Sequence, residues 1–318
     1  MRRQRIHNRI ACSSATPVVC LLLVLGLWWM PSSAFDYGRL ASLVLVLLTG
    51  YALMETNNTF QVLRVRSRMV VSVWLLACAC FGEFHDFQPI HATLPCLALS
   101  YYLLFRTYQQ PQAVTDVFHA FLLLSLGSLA YPPLLLFAPF YLWYLLVFMR
   151  SMSLRVFLAA VIGVLTPFWF WGGWLMIQDD FGPLLEWWSR MTEFESPSYA
   201  LWAGKAFLMQ HAAYLLLLAL TVWVSVYYLI NSFDDKIRTR MMLYIYIFQA
   251  VLVVLYSAFL ADPSQVLPLL LLNLSPLVAH YFTLRQTWVS LIVFLLTLLA
   301  FAGLAFQSLL PEVFYKLC

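Results

Sequence analysis

Long apolar runs separated by short polar segments dominate this chain. A mostly apolar run of about 17 to 25 residues is long enough to cross a bilayer as a helix. The pattern predicts an all-α, polytopic membrane bundle of about 11 transmembrane helices, in which the second and third candidates are short. No connecting segment is long enough to fold separately, so residues 1–318 are expected to form a single transmembrane domain. The candidate spans are 15–34, 40–54, 69–84, 89–105, 113–131, 132–149, 156–177, 207–230, 241–260, 265–284 and 287–310.

The polar segments between these runs alternate in charge. Most of the 18 Lys and Arg residues fall in every second connecting segment. Basic residues in short loops mark the cytoplasmic side of a membrane. The alternation therefore predicts a cytoplasmic N-terminus and an extracytoplasmic C-terminus. The residues on the predicted cytoplasmic side are Arg2, Arg3, Arg5, Arg9, Arg64, Arg66, Arg68, Arg106, Arg150, Arg155, Lys236, Arg238, Arg240 and Arg285.

Composition supports the same class of protein. Hydrophobic residues make up 63% of the chain and charged residues only 10%, whereas soluble domains carry about a quarter charged residues. A chain with so few charges cannot cover a surface exposed to water, which excludes a soluble domain. Membrane lipids are the expected partners, together with a lipid-linked substrate or a partner membrane protein, and nucleic acid is not.

The predicted outer segment 178–206 is acidic and amphipathic. Within it, apolar residues at helical spacing come after Gly182 and Pro183. A short helix over 183–195 is therefore expected at the membrane interface. One interpretation is an aromatic belt at headgroup depth. The other is a lid over a site whose entrance carries Asp179 and Asp180. The apolar positions are Leu184, Leu185, Trp188, Met191 and Phe194, and the belt tryptophans are Trp187, Trp188 and Trp202.

A further carboxylate, Asp36, follows the first predicted span in the segment FDYGR. This layout resembles that of the C-type membrane glycosyltransferases, which use polyprenyl-phosphate sugars and carry an acidic general base in their first outer loop. The first outer loop here is far shorter than in that superfamily. The resemblance implies a catalytic role for Asp36, with Asp179 and Asp180 as the other candidate catalytic residues.

Candidate substrate-binding residues lie in and beside the spans. Asn273 and His280 interrupt the apolar run 265–284 on either side of Pro276, and Gln249 in the preceding span is within reach of them. These side chains either line a polar path or form hydrogen bonds between helices. Arg64 and Arg66 either hold a lipid-linked phosphate from the cytoplasmic side or simply set the topology.

Metal and cofactor chemistry is not predicted. The sequence has no phosphate-binding glycine loop, nucleophile elbow or H-E-x-x-H motif. Glu83, His85, Asp86 and His91 share one predicted outer loop, but their spacing matches no standard ligand motif. A solvated loop is therefore expected there, and no cofactor and no metal.

Residues 120–171 contain the turn AYPP and the segment GVLTPFW. They resemble an uncharacterised polytopic inner-membrane protein family common in Bacteroidota. The resemblance implies an inner-membrane helical bundle and no particular activity.

Three functions follow from these observations. The first is an enzyme of envelope glycan or lipid assembly that uses a polyprenyl-phosphate-type lipid, with essential outer carboxylates. The second is a transporter or flippase, in which Asn273 and His280 matter instead. The third is a non-catalytic membrane subunit of a larger complex.

Overall fold

The computed structural model describes residues 6–29, 36–65, 67–192, 211–260 and 262–309, and within these ranges it contains helices and turns but no strand. The all-α prediction is confirmed. The α-helices of the described ranges are α1 (Ile6–Cys12), α2 (Thr16–Trp29), α3 (Tyr37–Phe60), α4 (Met69–Cys80), α5 (Pro89–Arg106), α6 (Val114–Ala130), α7 (Ala138–Val147), α8 (Leu154–Gln178), α9 (Gly182–Thr192), α10 (Ala212–Asn231), α11 (Ile237–Ser257), α12 (Leu267–Leu284) and α13 (Trp288–Leu309).

Among the described residues, 6 helices are long and apolar enough to cross a membrane. Their length and composition indicate a membrane protein, because bulky apolar side chains on their outer surfaces need a hydrocarbon solvent. Several other helices are apolar but shorter, including α2, α4 and α6. The helices of spanning length are Tyr37–Phe60, Leu154–Gln178, Ala212–Asp234, Ile237–Ser257, Pro263–Leu284 and Trp288–Ser308.

The second predicted span is longer in the structure than the sequence suggested. The apolar run 40–54 becomes the 24-residue helix α3, which continues through ETNNTF to Phe60. Thr56, Asn57 and Phe60 are buried in this last turn and a half. The helix continues here because Thr56 and Asn57 face the protein interior, whereas Asn58 and Thr59 on the opposite side stay exposed.

The described residues divide into two compact units, one drawn from 1–88 and 196–318 and the other from 89–195. In the first unit, α12 packs against α1, α4, α10, α11 and α13. Its apolar window is 94% buried, as expected for a helix that is hydrophobic on every face.

The second unit contains α5 to α9, with α6 packed against both α5 and α8. Gly163 of α8 lies so close to α6 that an added Cβ atom would stand 2.5 Å from the carbonyl oxygen of Phe118. Glycine is required at this position because the two backbones approach each other closely.

Candidate functional site

A polar loop, residues 61–68, connects α3 to α4 and is held by the side chain of Asn57. The Asn57 amide donates a hydrogen bond to the carbonyl oxygen of Ser67 (3.0 Å), and its carbonyl oxygen accepts one from the backbone N–H of Leu63 (3.1 Å). Gln61 begins the loop in the left-handed conformation, with φ 51°. A buried asparagine therefore fixes the path of this loop, as side-chain to backbone hydrogen bonds commonly do.

The short helix α1 lies beside this loop. The buried Asn8 amide donates to backbone carbonyl groups between residues 282 and 285, at 3.0 to 3.1 Å. These include carbonyls that the end of α12 would otherwise leave without a partner. The Ser67 hydroxyl also donates a hydrogen bond to the carbonyl oxygen of Ala11. The N-terminal helix, the loop and the end of α12 thus meet at one end of the first unit, which we call the basic end.

A polar pocket of about 910 Å³ opens at the basic end. The described residues that line it contribute guanidinium, amide and hydroxyl groups and include no acidic side chain. Such a set of hydrogen-bond donors suits an anion, because arginine binds phosphate and carboxylate groups through two parallel hydrogen bonds. The polar lining includes Ser13, Ser14, Asn58, Gln61, Arg64 and Arg68.

Behind Arg64 lies the carboxylate of Asp235, which is only 1% exposed. Arg64 donates a hydrogen bond to it from Nε while 40% of the arginine side chain stays exposed. His280 Nε2 lies 3.1 Å from the second carboxylate oxygen, which is close enough for a hydrogen bond but misaligned for one. The ring of Tyr228 packs edge-on against His280, with ring centroids 5.1 Å apart. One carboxylate therefore links α10, α12 and the loop 61–68.

The charge of Asp235 follows from these contacts. Burial favours its neutral carboxyl form, but contact with His280, the hydrogen bond from Arg64 and the Tyr228 hydroxyl favour the ionised form more strongly. The pKa of Asp235 consequently lies below its ordinary value of 3.8. Asp235 is thus ionised near neutral pH and holds Arg64 at the wall of the polar pocket.

The predicted polar positions inside the bundle do face inward. Asn273 and Gln249 are fully buried on α12 and α11, which pack against each other. Asn273 donates a hydrogen bond to the carbonyl oxygen of Leu269 in its own helix, at 2.8 Å. His280 lies about two helical turns from Asn273. Of the predicted polar residues Asn273, Gln249 and His280, it is the one that contacts Asp235.

Each candidate catalytic carboxylate has a local structural role. Asp36 is exposed and caps α3 by accepting a hydrogen bond from the backbone N–H of Gly38, at 3.0 Å. Asp179 ends α8 in the left-handed conformation, with φ 54°. Asp180 accepts a hydrogen bond from the backbone N–H of Gly182, at 2.8 Å, just before α9. Asp36 is a helix N-cap, Asp179 occupies a helix C-cap position and Asp180 holds a local turn, and their catalytic role stays a prediction.

A helix is present where the sequence predicts one, as α9, Gly182–Thr192. Trp187 is 8% exposed and donates a hydrogen bond from Nε1 to the carbonyl oxygen of Ser128, at 2.8 Å. Trp188 and Leu185, which lie on the apolar stripe predicted to face the membrane interface, are both exposed, Trp188 to 60%. The Trp187 N–H group thus has a buried partner inside the unit, and the depth of Trp187 and Trp188 in a membrane stays a prediction. Residues 193–206, including Trp202, lie outside the described residues.

The segment 82–91 is not the solvated loop that its polar residues suggested. His85 is buried and packs on Trp28, with ring centroids 4.7 Å apart, and His91 is fully buried. Asp86 instead pairs with Arg39, whose Nε lies 3.1 Å from the carboxylate. Burial lowers the pKa of His85. These side chains hold helix ends together and point to different partners.

Sequence reasoning missed Asp235 and Asn57. Asp235 belongs to the predicted cytoplasmic segment DDKIRTR, of which only the basic residues entered the prediction of topology. The available signal was an acidic pair directly after an apolar helix, on the face from which most acidic residues are absent. Asn57 carried no such signal, because its role depends on the path of the loop that it holds. Arg66 lies outside the described residues, so its predicted role is unaffected.

Comparison of the chain with protein-family models, with curated proteins and with solved structures finds no match. The resemblance of residues 120–171 to a Bacteroidota family stays a prediction. The case for a function therefore rests on the chemistry of the site itself.

Proposed function

We propose that the chain is a multi-pass protein of a bacterial inner membrane that binds a lipid-linked phosphate of polyprenyl-phosphate type, in the assembly of envelope glycan or lipid. The observation that carries this proposal is the polar pocket at the basic end. Arg64 and Arg68 face a cavity with several neutral donors and without a carboxylate among the described lining residues. A phosphate headgroup matches this set in charge and in hydrogen bonding.

In this proposal the polar pocket lies on the cytoplasmic side. Four segments from the predicted cytoplasmic set meet at the basic end, through the contacts of Arg64 with Asp235, of Arg285 with Asp234, and of Asn8 with the end of α12. This convergence supports a polytopic bundle of about 11 spans with a cytoplasmic N-terminus and an extracytoplasmic C-terminus. Anionic lipids of the inner leaflet would be attracted to the same surface.

If the protein is an enzyme, the candidate catalytic residues in this proposal are Asp36, Asp179 and Asp180, which lie on the predicted outer side and do not line the polar pocket. Changing Asp179 and Asp180 together to Asn keeps the side-chain shape and removes the charge. In a cell that depends on the protein, this double variant should abolish function while the protein still inserts at normal levels. Normal function in that variant would exclude catalysis by these two residues.

Transport or flipping of the same lipid is a second candidate. It is favoured by the fully buried Asn273 and Gln249 on packed helices, because buried polar side chains in a membrane bundle commonly line a path. Replacing both by Leu should then stop lipid movement across reconstituted vesicles without weakening lipid binding. A non-catalytic subunit would instead co-purify with a partner protein.

Binding is tested with the purified full-length protein and a polyprenyl phosphate. Arg68→Gln should weaken binding at least about tenfold, because one charge-assisted contact to phosphate contributes about 1.5–3 kcal/mol. Arg155→Gln is the matched control, since Arg155 is also exposed and basic but does not line the pocket. Equal affinity of the Arg68→Gln and Arg155→Gln variants would refute the headgroup assignment.

A further inference from the structure

We infer that the hydrocarbon chain of the bound lipid lies inside the first unit, in an apolar groove that continues from the polar pocket. The inference rests on the proposed function and narrows the ligand to an amphiphile with a phosphate headgroup and a chain that reaches across one leaflet.

The groove lies between α2, α4, α10, α12 and α13 and has a volume of about 210 Å³. Its walls are almost entirely aliphatic and aromatic, and its polar lining groups are confined to small hydroxyl and thiol side chains. Such a cavity offers no partner for a charged or strongly polar ligand, so its occupant must be hydrocarbon. The walls include Leu23, Leu76, Leu220, Leu271, Phe282 and Phe294.

The groove and the polar pocket approach each other at the junction between α1 and α2. A third cavity there shares Ser13 with the polar pocket. The same cavity shares Ile10, Thr16 and Cys20 with the apolar groove. A ligand can therefore keep its headgroup beside Arg64 and Arg68 while its chain passes Ser13 into the groove.

The length of the groove fits one leaflet. On α12 its walls extend from Leu271 to Phe282, which is about 16 Å at 1.5 Å per residue. Half of a hydrocarbon core of about 30 Å is about 15 Å. Phe282 is the wall residue nearest the carbonyl groups bonded by Asn8, so the groove begins at the basic end and runs inward.

Access from the side distinguishes this groove from a sealed cavity. Val19 and Leu23 line it, yet they are 53% and 41% exposed on α2. A chain can therefore enter between helices directly from the bilayer, without being drawn through the headgroup pocket. This geometry suits a lipid that arrives by lateral diffusion.

Photolabelling tests the location of the chain. The full-length protein is reconstituted in phosphatidylcholine vesicles with a long-chain alkyl phosphate that carries a diazirine near the end of its chain. Adducts should concentrate on groove residues such as Leu76 and Leu271. A diazirine-labelled phosphatidylcholine is the control, and its adducts should form on the outward-facing Leu22 and Leu25. If the alkyl phosphate labels only these two residues, it contacts the protein only as bulk lipid does, and the inference is overturned.

Filling the groove tests its contribution to affinity. Leu23→Trp narrows the groove, whereas Leu22→Trp places the same side chain at a neighbouring position that is 63% exposed and outside it. We expect Leu23→Trp to weaken long-chain alkyl phosphate at least tenfold and to leave butyl phosphate binding within twofold. Leu22→Trp should change neither. Equal effects of the two variants, or an equal loss of both ligands in Leu23→Trp, would overturn the inference.

The two proposals fail in different ways. If the Arg68→Gln variant binds the alkyl phosphate with unchanged affinity and its groove is still labelled, the groove is supported and the headgroup assignment is refuted. Affinity that depends on Arg68, combined with labelling only outside the groove, would retain the headgroup site and overturn the inference about the chain.

Discussion

Replacing Asp235 by Asn tests the buried cluster most directly. The substitution keeps the shape of the side chain and removes the one negative charge that Arg64 and His280 both face. Removing one partner of a buried ion pair costs about 3–5 kcal/mol. Arg64 is 40% exposed, and solvent screens its share of the interaction. We therefore expect a loss of about 2–3 kcal/mol in the free energy of unfolding.

The neighbouring Asp234 provides the matched control. Its carboxylate is 70% exposed and lies 3.9 Å from the guanidinium of Arg285. An exposed pair of this kind contributes about 0–1 kcal/mol. Asp234→Asn should therefore leave stability nearly unchanged, although it removes the same charge from the same segment.

Thermal unfolding in detergent can be followed with a maleimide dye that fluoresces when it reacts with thiols. Cys78 and Cys80 are buried in α4 and become reactive when the bundle opens. At about 2 °C or more per kcal/mol, Asp235→Asn should lower Tm by about 4 °C or more at pH 7. A Tm equal to that of Asp234→Asn would refute the reasoning, because it would show that the buried carboxylate is not stabilised by its neighbours.

The effect should also depend on pH in a defined direction. The pKa of Asp235 is lowered in the folded protein, so its contribution is present above its unfolded pKa of about 3.9. That contribution is lost as the pH falls through the lower folded value. The difference in Tm between wild type and Asp235→Asn should stay constant from pH 7 to about pH 4 and shrink below it.

Other outcomes can be checked in the same way. Asn57→Ala should cost about 2 kcal/mol, because two buried backbone groups of the pocket loop lose their partner, whereas the exposed Asn58→Ala should stay within about 0.5 kcal/mol; equal Tm values would contradict this. In the same dye assay, Trp187→Ala should lower the free energy of unfolding by about 3–5 kcal/mol and Trp188→Ala by about 1 kcal/mol or less. A larger loss in Trp188→Ala would contradict the burial of Trp187. A reporter fused after Arg240 should behave as cytoplasmic, and an external reporter there would invert the proposed topology.

The apolar runs were sufficient to predict where helices form. Each run of the sequence contains a helix because lipid and protein interior both exclude unpaired backbone groups, and a helix satisfies them locally. The same runs could not fix helix ends. The residues after Met54 look like a polar loop, yet Thr56 and Asn57 are buried in the last turns of α3. Tertiary packing, which no local pattern encodes, decides that boundary.

The candidate site was only partly predictable for a similar reason. The alternation of charge along the chain indicated Arg64 as a candidate. His280 was a candidate because it is a polar residue in an otherwise apolar helix. Their meeting point, Asp235, lies 171 positions from Arg64 along the chain. The burial of adjacent aromatic residues was also not predictable, because Trp188 lies on the apolar stripe of α9 and Trp187 does not, yet Trp187 is the buried one. Only the carbonyl group of Ser128 selects Trp187 as the buried one.

The clamp between Asn8 and the end of α12 has a consequence for how the protein is made. The two sides of this contact are separated by 274 positions in the sequence. At about 5–20 residues per second, a ribosome needs about 14–55 s after translating Asn8 to supply its partner carbonyl groups. The helix α1 therefore waits through the insertion of nearly the whole chain before it can dock. The polar pocket, to which α1 contributes Cys12, is therefore completed only after α12 has been translated.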